Sequence, residues 1–263
     1  MSEQDPLRIE HRPNGVTVLT FDNPDRRNPM TRRLTEQWRR AVRSLREAPD
    51  LRAVVVTGTG PAFCSGADLN ELADRHGQDL PGTRAQLSAF YRTWLSIHDL
   101  AVPTVAAVNG HAVGAGLALA LACDLRYAAE EAKLGAPFVQ LGLHPGMATT
   151  ALLSEAVGLP CARELLLTGR LVSGAQAASM GMVHEALPAG QVLPAALDVA
   201  DRMAAAAPLA VRLTKSGLSQ GQLTVEQALS WEALAQPVTT TTDDFREGVQ
   251  ARRERRPPRF TGA

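Results

Sequence analysis

Residues 105–124 constrain this 263-residue chain more than any other stretch. They are almost all small and apolar, and they carry three glycines, Gly110, Gly114 and Gly116. The pattern reads as a buried strand over 104–108, a glycine-rich turn over 109–116, and a helix opening on Gly114-Ala115-Gly116. Glycine between a strand and a helix lets another backbone come close. The first turn of a helix offers unpaired N–H groups to negative charge. The stretch therefore predicts a site where backbone amides hold an oxyanion or a phosphate.

The spacing G-x-x-x-G-x-G also approaches the glycine pattern of short-chain dehydrogenases. A dinucleotide fingerprint belongs to a first strand–turn–helix unit, with an acidic residue about 20 positions on. Here it lies mid-chain. The Tyr-x-x-x-Lys pair is missing as well, because Glu131 stands at that offset from Tyr127 and Leu95 at that offset from Tyr91. Context speaks against a nicotinamide cofactor.

Lysine plus arginine and aspartate plus glutamate both number 27, so the balanced charge lends nothing to a nucleic-acid role. The three cysteines, Cys64, Cys123 and Cys161, have no metal-ligand spacing, and no metal is expected. They suit a reducing cytoplasm, as does the polar start MSEQDPLRIEH, which has no signal-peptide core. The longest apolar run, 114–123, is too short to span a bilayer.

In chain order, 7–11 and 16–21 read as strands around the turn Pro13-Asn14-Gly15. Thr31 caps a helix running to about Glu47, with Leu34, Trp38, Ala41, Val42 and Leu45 on one face. AVVVTG is a buried strand. Asp68 and Glu71 fit an N-cap and capping box. A loop over 77–82 precedes a long helix over 83–99. Short strands over 125–128 and 133–134 lead to a loop, 135–146, that carries His144. Helices follow over 148–157, 160–167 and 173–180, with a last short strand over 183–185. The C-terminal segments are helical, with breaks near Pro208, near 221–224 and near 237–242. The chain divides into a core over 1–195 and a helical region over 196–263.

Taken together, NPDRRNPM, AVVVTGTGPAFCSGADL, PTVAAVNGHAVGAGLALALACDLRYA, LGAPFVQLGLHPG, ARELLLTGRLVSGAQAASMGMV and DDFREGVQARRERRPPRF resemble the crotonase, or enoyl-CoA hydratase/isomerase, superfamily. The resemblance covers residues 5–260. It implies an α/β spiral of strand–strand–helix units with a C-terminal helical trimerisation region, assembled as a homotrimer or dimer of trimers. It also implies an acyl-CoA ligand, CoA entering as part of the substrate and not as a separate cofactor, with no nucleic-acid or membrane partner. The shared chemistry is an oxyanion hole of two backbone N–H groups that hold the thioester oxygen as an enolate. Each donor is worth about 3–4 kcal/mol. By motif, the donors fall on Ala67 and Ala115. CoA contacts fall on Ala67, Asp68, Leu69 and Asn70, with charge from Arg26 or Arg27 and from Arg255 of a neighbouring copy. Asn70 stands where a lysine is common.

The chain departs from its family at the acids. Hydratases use two glutamates on water and the double bond. Those positions are Ala118 and Phe138 here, 20 residues apart as in the family. A third place, an aspartate in several isomerases, is Gly146. General acid–base help is worth about 10² to 10⁴ per group, so ordinary hydration is expected to fall towards background. His144 is the nearest candidate to move a proton, its imidazole titrating near neutral pH. Its plainer reading is a loop histidine bonded to backbone. His111 and Cys64 read as structural, Ser65 lacks the Gly-x-Ser-x-Gly elbow, and Asp124, Glu130 and Glu131 read as fold or surface residues. Asp74 and His76 receive no role.

Three readings follow. The first is an acyl-CoA enzyme working through the Ala67/Ala115 hole with unconventional proton transfer. The second is a non-catalytic acyl-CoA-binding protein with the same fold. The third is a hydratase whose acids have migrated.

Overall fold

The computed structural model describes residues 5–73, 79–221 and 223–262. In order, the chain forms β1 (Leu7–His11), β2 (Val16–Phe21), β3 (Pro29–Met30), α1 (Arg32–Glu47), β4 (Ala53–Gly58), β5 (Ala62–Cys64), β6 (Gly66–Ala67), α2 (Leu69–Ala73) and α3 (Leu80–Leu95). It continues through β7 (Thr104–Val108), β8 (His111–Val113), α4 (Ala115–Leu121), β9 (Leu125–Ala129), β10 (Lys133–Gly135), α5 (Thr149–Val157) and α6 (Leu159–Thr168). It ends with β11 (Val172–Ser173), α7 (Gly174–Ser179), β12 (Glu185–Leu187), α8 (Ala189–Ala204), α9 (Pro208–Leu218), α10 (Val225–Thr240) and α11 (Asp243–Glu254).

The main sheet has the order β1-β2-β4-β7-β9-β12, and a second sheet has the order β11-β10-β8-β5. β1 and β2 are antiparallel, and the remaining pairs of the main sheet are parallel. The chain therefore repeats one move. A main-sheet strand (β4, β7, β9) is followed by a short strand of the second sheet (β5, β8, β10) and then by helix. This is the expected α/β spiral. Every residue of β7 is buried, as a parallel strand covered on both faces requires.

Thr31 accepts a hydrogen bond from the Leu34 amide at 3.2 Å and opens α1. Its buried residues are Leu34, Trp38, Ala41, Val42 and Leu45, the stripe that the spacing predicts. Trp38 stacks on Trp94 of α3 with ring centroids 5.0 Å apart. Trp94 also donates to the Thr35 hydroxyl at 3.1 Å, so α3 is pinned to α1.

Several local expectations are corrected. α3 begins at Leu80, not at 83, because Asp79 caps it by accepting from the Gly82 amide at 2.7 Å. Glu71 does not complete a capping box: its carboxylate accepts from the Arg32 amide at 3.0 Å. The last strand is Glu185–Leu187, shifted to pair in parallel with β9. The expected break near 237–242 is present, since α10 runs through Pro237 to Thr240 and α11 starts at Asp243. Residue 195 falls inside α8, whose Val192, Ala196 and Ala200 are buried against β4, β7 and β9, so that helix belongs to the core layer.

Side-chain bonds tie the C-terminal region to the core, among them Arg212 to the Leu51 carbonyl at 3.3 Å and Arg52 to the Thr261 carbonyl at 3.2 Å. On α9, Lys215 pairs with Asp124 at 2.8 Å and donates to the Val102 carbonyl at 2.9 Å. Beyond α11 the tail returns, and the amides of Thr261 and Gly262 donate to the buried Asp244 carboxylate at 2.8 and 2.9 Å. α10 has no buried residue. Among the described residues no helix is long and apolar enough to cross a membrane.

Candidate functional site at the start of helix α4

Two backbone segments meet at the start of α4. A β-carbon on Gly66 of β6 would stand 3.1 Å from the Ala115 nitrogen and 2.6 Å from the Val113 carbonyl oxygen. Gly66 also has φ +90°, where side chains are strained. On the other side, a β-carbon on Gly116 would strike the Cys64 carbonyl. Glycine at both places is what allows the chain between β5 and α2 to lie against the turn before α4. Ala67 and Ala115, the two expected donors, are the neighbours of these contact points.

α4 opens on Gly114 with no side-chain cap. The first amide of its opening turn to find an acceptor is that of Ala118, which donates to the Gly114 carbonyl at 3.1 Å. The amides of Ala115, Gly116 and Leu117 have no acceptor among the described residues. They carry the positive end of the helix dipole.

The strip after Ala67 is rigid on one edge and open on the other. Arg26, closing a short 3-10 turn over Pro24–Arg26, donates to the Asp68 carboxylate at 2.8 Å. Asp68 is buried, and its other oxygen accepts from the Asn70 amide at 3.0 Å. Pairing of β3 with β6 places Met30 opposite Ala67. Leu69 is 61% exposed and Asn70 is exposed, so both remain open to a ligand. Arg26, Ala67, Asp68, Leu69 and Asn70 thus form one strip, and Arg27 follows Arg26 in a left-handed conformation, φ 60°. Arg255 lies elsewhere, exposed at the C-terminus of α11 with φ 55°. Among the described residues it makes no hydrogen bond to the strip within one chain.

The walls around the turn are apolar. Ala118 is fully buried in α4. The Phe138 ring stands 3.7 Å from the point a β-carbon on Gly114 would occupy, covering the turn. Gly146 meets α3: a β-carbon there would lie 2.5 Å from the Tyr91 hydroxyl and 2.9 Å from Cζ of its ring. No side chain fits at 146 while Tyr91 keeps its place. Sequence reasoning passed over Tyr91, since helical spacing alone does not reveal which loop its hydroxyl reaches.

His144 is exposed on the same loop, with Nδ1 2.7 Å from the Pro145 carbonyl. His111 belongs to β8, not to a turn, and its Nδ1 accepts from the Lys133 amide at 3.0 Å, a link between β8 and β10. Burial pushes the Cys64 thiol up to about 12, leaving it a poor nucleophile. Asp124 accepts from the amide and hydroxyl of Thr104 at 2.7 and 2.8 Å and holds Lys215, a role in the fold. Asp74 and His76 lie outside the described residues.

Comparison with known proteins identifies the family. The family model for enoyl-CoA hydratase/isomerase matches residues 11–263. The 2,3-dehydroadipyl-CoA hydratase of Escherichia coli is 35% identical over 256 residues, covering 97% of this chain and 98% of that protein. The chain belongs to the enoyl-CoA hydratase/isomerase family. The mitochondrial methylglutaconyl-CoA hydratase of Rattus norvegicus is 33% identical over 268 residues, covering 98% of this chain and 84% of that protein. A crystal structure of enoyl-CoA hydratase from Bacillus anthracis superposes with a TM-score of 0.92 at 33% identity, covering 98% of this chain and all of that one. Enoyl-CoA hydratase/isomerase membership accounts for the crotonase spiral.

Proposed function

We propose that this chain acts on an acyl-CoA thioester through an enolate, with the carbonyl oxygen held between the amides of Ala67 and Ala115, and that it is not an ordinary enoyl-CoA hydratase. The observation that carries this reading is the backbone contact between the Gly66 segment and the first turn of α4, beside amides that have no acceptor. Two N–H groups converging on one oxygen stabilise it most when negative charge develops there.

Around the oxygen, Ala118 and Phe138 take the two positions where the family's spacing expects glutamates. Neither side chain can activate water, and a phenyl wall disfavours a charged base. The same two residues favour a second reading, acyl-CoA binding without turnover. His144, the proton carrier suggested by the sequence, is exposed on the loop that also carries Gly146. The exposed edge of Leu69 and Asn70, with Arg26 beside it, suits the adenosine and phosphate part of CoA. Arg255 would join it from a second copy, and no cofactor beyond the CoA of the substrate is invoked. Exposed Val225, Leu229, Leu234 and Val238 on α10 support assembly into a trimer or a dimer of trimers. A cytoplasmic setting fits the same reading.

Titration of the protein with crotonyl-CoA, butyryl-CoA and free CoA tests it. The thioesters are expected to bind, and Arg26→Ala is expected to weaken all three ligands together. No binding of any CoA thioester overturns the proposal.

A further inference from the structure

We propose that the Tyr91 hydroxyl is the proton donor of this site, delivering its proton to the α-carbon of a bound acyl-CoA enolate. The inference rests on the acyl-CoA reading above and adds to it the group that moves the proton.

The placement of the hydroxyl is specific. α3 is locked by Trp94, which is fully buried and stacked on Trp38. Three residues earlier, near the same helix face, Tyr91 sends its oxygen into the space that a side chain at 146 would fill. The Gly146 carbonyl is already engaged by the amide and hydroxyl of Thr149, at 3.1 and 2.5 Å. The next two residues, Met147 and Ala148, both have φ 53°. Consecutive left-handed residues that are not glycine cost free energy, and such strain gathers at functional sites.

The same loop connects Tyr91 to the amides of α4. It starts at Phe138, whose ring covers Gly114, and the Leu143 amide donates back to the Phe138 carbonyl at 2.9 Å. One arch thus carries the wall over the first turn of α4 at one end and the seat of the tyrosine oxygen at the other. Tyr91 also lines a groove of about 1120 Å³ with Leu87, Leu95, Ala122, Ala148 and Leu152. Arg46, Arg84, Arg92, His98 and Asp99 also line it, so apolar side chains stand beside Tyr91 and charged ones edge the groove.

The step balances without a further reactant. The Tyr91 O–H bond breaks, a C–H bond forms at the α-carbon, and the enolate electrons restore the thioester carbonyl. The phenolate recovers a proton from solvent. In the reverse direction the Tyr91 phenolate, a minor form at neutral pH, takes the α-proton of the thioester, so that the phenol O–H forms, the α-C–H bond breaks and the enolate is left on the carbonyl oxygen. A phenol titrates near pH 10 in water, so it enters the neutral range as a donor. Acid–base help of this kind is worth about 10² to 10⁴ in rate.

Solvent deuterium exchange into the α-position of butyryl-CoA, followed by NMR, tests the assignment. Butyryl-CoA has no double bond to hydrate, so exchange reports proton transfer alone. The wild-type chain is expected to exchange the α-proton, and Tyr91→Phe to slow exchange by about 10²-fold or more with butyryl-CoA affinity kept. The alkaline limb of the rate against pH should vanish in the same variant, and Tyr91→His should recover part of the rate with a limb near neutral pH. Exchange in Tyr91→Phe at the wild-type rate overturns the assignment. So does a wild-type protein that binds butyryl-CoA and exchanges nothing. Failure to bind butyryl-CoA at all instead overturns the acyl-CoA reading, and the assignment with it.

Discussion

The carbonyl of Cys64 rests against the α-carbon of Gly116, leaving no room for a methyl group between β5 and the first turn of α4. Any side chain at 116 must push the two segments apart. Gly116→Ala is expected to cost about 2 kcal/mol as an overpacked core does. It should also weaken acyl-CoA binding, because the Ala67 and Ala115 amides would separate. A denaturant titration alongside a binding titration checks both.

Lys215 and Asp124 join α9 to the far end of α4. Their side chains are 9% and 29% exposed, and each is further bonded to backbone. Lys215→Met removes the cation and leaves the Asp124 carboxylate without it. Breaking such a pair from one side typically costs about 3 kcal/mol. Chemical denaturation of the variant measures the loss.

Acid should act through His184. Burial first, and then the Arg126 guanidinium, hold this imidazole below its usual value of 6.5. Its Nδ1 accepts from the Arg126 amide at 3.1 Å and must stay unprotonated to do so. The unfolded chain therefore binds the proton more readily. The stabilisation is present above about pH 6.5 and is lost as the pH falls through the folded value. His184→Asn keeps an acceptor without the titration, so its melting temperature should fall less between pH 7 and 5.

Thiol reactivity should divide the three cysteines. Cys64 and Cys123 are buried, and burial pushes both thiols up to about 12. Cys161 is partly exposed. Native protein is expected to label at Cys161 alone within minutes, and at the other two only after denaturation. Rapid native labelling of Cys64 contradicts the closed packing of β5 on α4.

Much of the fold was legible because its signals are local. The α1 stripe, its Thr31 cap and the unbroken apolar run of β7 each identify their element without tertiary knowledge. The glycines of the α4 turn announced a close backbone approach, and the partner turned out to be the Cys64–Gly66 segment. What stayed hidden depends on contacts between residues distant in sequence. Glu71 was free to choose between its own helix and the Arg32 amide, and it chose Arg32. Lys215 looked like any helical lysine until α9 laid it against Asp124, 91 positions earlier. Gly146 stood out only as an empty acid position and Tyr91 only as half of a missing Tyr-x-x-x-Lys pair, and the packing of α3 on the loop before α5 is what brings the hydroxyl to that glycine.

The most direct measurement is product analysis after incubation with crotonyl-CoA, a 3-enoyl-CoA, a long-chain enoyl-CoA and a saturated acyl-CoA, read by mass spectrometry. The enolate account predicts that thioesters are bound and that crotonyl-CoA gains no water beyond the buffer rate, because Ala118 and Phe138 cannot activate it. Rapid formation of 3-hydroxybutyryl-CoA would contradict the account, since another group would then be doing the work of the two glutamates.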